Sequence, residues 1–523
     1  MPILNVREMG TIGVISDIAP WDLPPSALTD GSNFRMSAGK IQSTGGLKLS
    51  GFPQDDDHGH ITQSTDLDKN SLWIVAGSKK LRTWNGVTAQ DIATGLTFPG
   101  SGLNNPHKWS SCQIGSQLFF NHPDWHPIVW EDRDEQLEQA QMLPWSPGKL
   151  WSASNKSCKV LRAHKNFLWA LGMVEDDEVY SDKVWWSHPA EPNGYPYTWE
   201  PANSGDRSSL AGYLSMGRGG AVVGGESLRD SFVIYSDEAI NVMDFTGDAL
   251  LWRRRSVSSS AGLVGKEAVV EVNGTHFLIS NDDILMFDGN QVSSLMHNKL
   301  KKRLAQKINN NARSSSWAAH NPVFNEIWFA VPEGTSAFAN TVYVYNYRDG
   351  TWAIRDLGQE FRHGHFGNQA TKPDDRLWDK FTINWNESRA SWLLAGDQPF
   401  NGQLNGVEGQ RMHNIDPQVP DSPPVSEVMR TDLPIGGHEV NTTITRVYPL
   451  IEGSSEVEMR FGSQQLAGGG TRWTPWQTFK PGSDRKIDIR TTGELHSYHV
   501  RSKDGGFFNL TGFDIEYSMA GQR

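Results

Sequence analysis

Seven times along the chain an aromatic or β-branched run is followed, after a short polar break, by a second such run. Repetition at that interval constrains the fold more than any other feature of the sequence. The runs begin near Leu72, Gln117, Asn166, Ser231, Thr275, Glu326 and Ser391, so successive starts lie 45, 49, 65, 44, 51 and 65 residues apart. Segments such as SLWIVAGSKKLRTWNG, DSFVIYSDEAINVMDFTG and THFLISNDDILMFDGN each read as an up-strand, a turn and a down-strand. A step of about 45 to 50 residues suits one four-stranded blade of a β-propeller, and the two longer steps leave room for an inserted loop. The expected fold is all-β, built on a propeller of six to eight blades, with seven as the reading of the hairpin count.

At 523 residues the chain is too long for one ordinary core. Residues 1 to about 60 read as an arm with a Pro-rich stretch, Ile18 to Pro25, and a hairpin around Ala38-Gly39. Residues 61 to 420 carry the hairpins, and Pro417, Pro420, Pro423 and Pro424 then break regular structure. From 425 to 523, apolar and polar residues alternate in TTITRVYPLIEG, EVEMRFGS, RKIDIRTTG, HSYHVRS and FDIEYS, the pattern of a compact antiparallel sandwich. The 21 Trp, 51 Gly and 27 Pro describe turn-rich β structure wedged by large flat side chains. One helix is expected, over LMHNKLKKRLAQKINN, where Leu295, Leu300, Leu304 and Ile308 recur at steps of four or five.

No run approaches 18 apolar residues, so no transmembrane helix is expected. The N-terminus shows neither a basic leader nor an apolar h-region, and Cys112 and Cys158 are too few for a disulfide framework, so synthesis in a cytoplasm is expected. The net charge of −12 argues against tight, sequence-independent nucleic-acid binding, which depends on Lys and Arg neutralising phosphates. It leaves open a conduit that lets DNA slide without gripping it. The basic groups with a possible DNA-channel or interface role are Arg253, Arg254 and Arg255 after Trp252, and Lys299, Lys301 and Lys302 of the helix. A solvated face is the commoner explanation for such runs. The segment QDDDHGH, with Asp55, Asp56, Asp57, His58 and His60, reads as a solvated turn before it reads as a metal site. No phosphate-binding loop, HExxH, GxSxG or paired CxxC occurs, so no enzyme, cofactor or metal is expected. Glycoside hydrolysis on a propeller needs two carboxylates facing each other across a cleft. Asp282 with Asp283, and Asp349 in a lone Asp-Gly-Thr-Trp, sit instead where turns are expected.

Three parts of the sequence resemble the tail nozzle proteins of short-tailed bacteriophages, also called tail hub or packaged-DNA stabilisation proteins. The first is Leu23 to Arg35, with Pro24, Pro25, Asp30, Asn33 and Arg35, closing in the Gly39-Lys40-Ile41 hairpin. The second is Gly262-Leu263-Val264-Gly265 and then VVEVNGTHFLISNDDILMFDGNQV, containing Asp288 and Gly289, followed by the basic helix. The third is Arg446-Val447-Tyr448-Pro449, Phe461-Gly462-Ser463 ahead of Trp473 and Trp476, and the closing stretch around Gly512. The resemblance implies a structural virion protein, assembled in the host cytoplasm. Several copies, typically six, would form a ring below the portal adaptor that continues the DNA channel, retains the genome and holds a fibre, spike or plug. Double-stranded DNA would pass without sequence-specific binding. The loop EDRDEQLEQA and the insert from Ser181 to Asp206 have no counterpart in that likeness. The alternative is a glycan-binding or sialidase-like, glycan-cleaving propeller.

Overall fold

The computed structural model describes residues 2–65, 71–99, 102–131, 139–191, 194–202, 208–217, 219–247, 251–368, 402–417, 420–437, 440–453 and 455–522. The all-β expectation holds: the described residues form many small antiparallel sheets and one short α-helix. Seven of the sheets have four strands each. Six of the hairpins read in the sequence are the middle strands of six of these sheets, as in Ser71–Gly77 with Leu81–Trp84 and Ser231–Ser236 with Ile240–Phe245. The run near Ser391 lies outside the described residues. The seventh sheet is made from His363–Asn368, Gly402–Glu408 and Arg411–Ile415, completed by Leu47–Leu49 from the other end of the chain.

Each sheet is open, and what closes is the succession of contacts between them. The first strands of sheets two to seven pack one on the next, and that of sheet seven returns to that of sheet one, His58–Thr65. Sheets one and two meet through the turn Pro106–Lys108 and a shared core that includes Ile74, Trp109, Phe120 and Trp130. A cycle of seven four-stranded sheets fits the expected propeller. It also explains the middle-strand sequences. Phe232, Val233, Ile234 and Tyr235 are all buried in succession, as are all six residues of Glu326–Val331, because each such strand has a neighbouring sheet on both faces. Tryptophans fill the wedges: Trp145, Trp151, Trp185 and Trp199 lie 4.9 to 6.0 Å apart, ring to ring, between sheets two and three.

Two further six-stranded sheets carry the alternating C-terminal segments, and each incorporates strands from the arm. Strand β1 (Ile3–Val6) pairs with residues 513–516, β2 (Asp30–Ser32) with 427–429, and β3 (Phe34–Ser37) with β4 (Lys40–Ser43), which pairs with 509–510. The expected hairpin turns at Ala38 and Gly39, both with positive φ (49° and 76°), the geometry of a two-residue β-hairpin turn. The arm is thus divided: β1 to β4 belong with the C-terminal sheets and Leu47–Leu49 with the seven-sheet ring. Strand Ile487–Gly493 is buried at every second residue, as a sheet with one covered face requires.

Helix α1 spans only Lys301–Lys307, shorter than its periodicity suggests. Asn298 takes a left-handed φ of 57° before it, and Ile308 is already extended after it, where Asn309 N–H donates to the Pro332 carbonyl. Leu300, Leu304 and Ile308 are buried as expected.

Gly512 lies where β1 crosses the closing strand, and a Cβ there would overlap the Val6 carbonyl oxygen. Gly512→Ala should cost about 1–3 kcal/mol by displacing β1, measured as a lowered urea midpoint, whereas Gly95→Ala, at an exposed turn with open space around it and no positive φ, should cost less.

Candidate functional site

Residues from the first strands of all seven sheets line one cavity of about 580 Å³ on the axis of the ring. They include His60, Cys112, Arg162, Glu226, Glu267, Glu271, His320, His363 and His365. A volume of that order suits a small molecule. Duplex DNA, whose major groove alone is about 12 Å wide, would not pass through it.

Three of the charges on this axis compensate one another. Arg162 places Nη2 3.0 Å from a Glu267 oxygen and donates to the carbonyls of Ser111, Leu161 and Lys266. Lys266 donates to the Trp109 carbonyl and lies 3.4 Å from the other Glu267 oxygen. Burial alone would raise the Glu267 carboxyl, but Arg162 and Lys266 beside it hold it well below its ordinary value. Burial lowers the Lys266 ammonium to about 8. Glu226 has no such ion pair within the described residues, and burial raises it. Its Oε1 accepts from the Ser227 N–H.

Four imidazoles line the same cavity, those of His60, His320, His363 and His365. His60 and His363 stack at 4.3 Å, His60 Nε2 meets Ser111 Oγ at 2.8 Å, and His363 Nδ1 accepts from the Ile61 N–H. Burial pushes His363 down to about 3 and His365 to about 4, so both are neutral at neutral pH. The thiol of Cys112 is pushed up to about 12 by burial and is unreactive as a thiolate. Cys158 is buried in the core between sheets two and three.

The sequence drew attention only to His60 and Cys112 in this set. Charged residues set inside strand-like apolar runs, VLRAH and GGESL, and the His-x-His of HGHF are the signals that mark the rest. The other members of QDDDHGH disperse. Asp55 pairs with Lys80 and Arg82, Asp56 accepts from the backbone of Asp57, Lys79 and Lys80, and Asp57 pairs with Arg362. Among the described residues no group of three His, Cys, Asp or Glu is arranged to hold a metal ion.

The basic residues singled out in sequence lie away from the axis, and most of them meet partners in the same chain. Arg253, Arg254 and Arg255 are on Trp252–Ser258, the outermost strand of sheet four. Arg254 donates to the carbonyls of Ser215 and Met216 on sheet three's side, and Arg255 pairs with Asp244 and donates to the Gly289 carbonyl of sheet five. These arginines therefore fasten neighbouring sheets at the rim, while Arg253 is exposed. The Lys299 carbonyl accepts from Ser16 and Asp17, Lys301 pairs with Asp283 at 2.9 Å, and Lys302 binds Asp17 through its backbone N–H and its ammonium. Arg303 completes the set with Asp30 at 2.7 Å, so helix α1 is a dock for the arm.

The remaining motif positions are also structural. Asn33, at φ 59°, bridges the Asp356 N–H and the Val425 carbonyl, and Arg35 is buried in an ion-pair network. The Pro24 carbonyl caps a turn at Ala27, and Pro25 follows it. Gly262 and Gly265 sit where a Cβ would strike the carbonyls of Asp237 and Ser314. Asp288 accepts from Asn290 and Gln291 in a tight turn, and Pro449 is buried opposite Phe513. Asp282, exposed, and Asp283 share Lys301, and Asp349 sits in a turn held by Asn346. Residues 132–138 of the acidic loop, and 192–193 and 203–207 of the insert, lie outside the described residues.

No helix among the described residues is long and apolar enough to cross a membrane. No protein-family model matches the chain, and no curated protein matches it. Among solved structures it is similar to the crystal structure of the computationally designed Ika8 protein, at 10% identity over 74% of this chain and 96% of that one. The TM-score is 0.33, too low to carry any inference.

Two outcomes follow from the axial charges. Glu267→Gln leaves two buried cations without their carboxylate and should cost about 3–5 kcal/mol, measured by denaturant unfolding at pH 7. The histidines act in the opposite direction on lowering pH. Their folded values lie below the ordinary 6.5, so the unfolded chain takes up protons that the fold refuses. The stability they contribute is intact above pH 6.5 and is lost as pH falls towards 4 and 3. A His363→Gln/His365→Gln chain should show a smaller drop in stability between pH 7 and pH 5 than the unaltered protein.

Proposed function

We propose that the chain is a structural subunit of a bacteriophage tail nozzle, working without chemistry. Several copies, typically six, form a ring below the portal adaptor, hold a fibre, spike or plug, and guide DNA out of the capsid. The observation that carries this reading is that the three stretches resembling that family, far apart in sequence, lie against one another in the fold. The N-terminal stretch docks on the basic helix through Asp30 with Arg303 and Ser16 with the Lys299 carbonyl, and β1 lies on the strand containing Gly512. They form a continuous load path from the C-terminal sheets to the seven-sheet ring. In such an assembly the conduit lies between subunits, because the axial cavity of one chain is of small-molecule size and holds the buried cluster of Arg162, Lys266 and Glu267. The ring requires heterologous contacts that close.

Electron microscopy of the tagged chain, isolated with whatever stays bound, tests this. A ring with an axial opening on a DNA-filled particle is the expected result. Single chains that stay unassembled when mixed with a candidate portal and adaptor would count against it. A glycan-binding or glycan-cleaving propeller is the second reading, favoured by one observation: Glu226 and Glu267 share the axial cavity and their surroundings drive their acidities apart. Under that reading, Glu226→Gln abolishes oligosaccharide binding or turnover without unfolding the chain; under the nozzle reading the substitution leaves assembly unchanged.

A further inference from the structure

The carboxylates of the axial cavity outnumber the cations beside them. Glu226, Glu267 and Glu271 line it, and Arg162 and Lys266, both paired with Glu267, are the positive groups. Burial holds the four imidazoles below their ordinary value, so they are neutral at neutral pH and one negative charge is left over. Glu226 Oε1 accepts from the Ser227 N–H and Glu271 Oε1 from the Gly274 N–H, while the Oε2 atom of each has no partner among the described residues. A ligand can reach these oxygens: Glu226 is half-buried, Glu271 is exposed, and neither Oε2 is sealed from solvent. His365, also half-buried, packs beside Trp73 and His363, and neither of its ring nitrogens is sealed or hydrogen-bonded to a described residue.

Open acceptors and a surplus negative charge select for a cation that carries donors. An anion would add to the surplus, and no three of the described His, Cys, Asp or Glu side chains are arranged to hold a metal ion. The volume, about 580 Å³, is that of a small-molecule site, and Val270 and Phe366 give it an apolar wall. An ammonium group offers three N–H donors, and carboxylates that receive them offset the cost of taking it out of water. We propose that the axial cavity binds a small primary ammonium compound with a second polar group, an amino alcohol being the simplest example. Its N–H groups donate to the open oxygens of Glu226 and Glu271, on the neighbouring sheets four and five, and its second polar group meets His365 of sheet seven. The proposal is independent of the nozzle reading, in which this cavity plays no part.

Calorimetric titration of the full chain with ethanolamine at pH 7 tests it, against ethanol, tetramethylammonium chloride and potassium chloride at equal ionic strength. The expected result is saturable binding of ethanolamine that the other three do not show. Glu226→Gln should abolish it, and Glu271→Gln should lower the affinity about tenfold through loss of one charged hydrogen bond. Glu271 is exposed, so its substitution leaves a folded chain even where Glu226→Gln disturbs the axis. Asp177→Asn, at the exposed turn of sheet three, should leave the affinity unchanged. No saturable binding, an equal effect of ethanol, tetramethylammonium or potassium, or an affinity that survives Glu271→Gln undiminished would overturn the proposal.

Discussion

Four buried charges hold the parts of this protein in register. Arg35 of the arm makes a two-point contact with Glu326 of sheet six and also binds Asp416, which follows the last strand of sheet seven. Arg355, from the outer strand of sheet six, binds the same Asp416. All four side chains are less than a tenth exposed. Desolvating such groups offsets much of their attraction, so their main contribution is to specificity rather than to net stability. Any arrangement that slides the arm along sheet six leaves a charge buried alone, which costs several kcal/mol. Phe324 lies 3.4 Å from the Arg35 guanidinium and adds a directional contact at the same point.

The periodicities of the chain announced its two architectures for a physical reason. Strands covered on both faces, such as FVIY and EIWFAV, show unbroken apolar runs, whereas strands covered on one face, such as IDIRTTG, alternate. Turn chemistry at Ala38-Gly39 was equally local and equally legible. The closures were not. Leu47–Leu49, β1 and β2 are short, and their partners, like the second partner of β4, lie hundreds of residues away, so no local pattern names them. The same holds for the quartet, where Arg35 and Asp416 are separated by 381 positions. The helix was legible in its apolar spacing but not in its length, because a left-handed Asn298 and a contact with Pro332 decide its ends.

The axial residues were hidden for a related reason. A charge within a strand looks like an exposed position until the fold shows seven strands converging on one line. Arg162, Lys266 and Glu267 then compensate one another across sheets three and five, although Arg162 stands about a hundred residues from the other two in sequence. Conversely, of the runs that stood out in sequence, Arg254 and Arg255 are partnered at the rim, and Lys301 and Lys302 with Asp283 and with Asp17 of the arm. Conspicuous charge in this sequence marks joints between elements, while the cavity is lined by single charges within apolar strands.

The pairing of the first strand with the last has a consequence for how the protein is made. Residues 3–6 acquire their partners only when 513–516 have been synthesised, and the seventh sheet waits for residues 402–415 before it can use Leu47–Leu49. At roughly 5–20 residues per second, synthesis of the whole chain lasts from about half a minute to two minutes. For nearly all of that time β1, β2 and Leu47–Leu49 have left the ribosome without their partners. The protein therefore completes these sheets only once residues 513–516 have emerged, and until then its newly made form exposes unpaired strands that are sites for premature association.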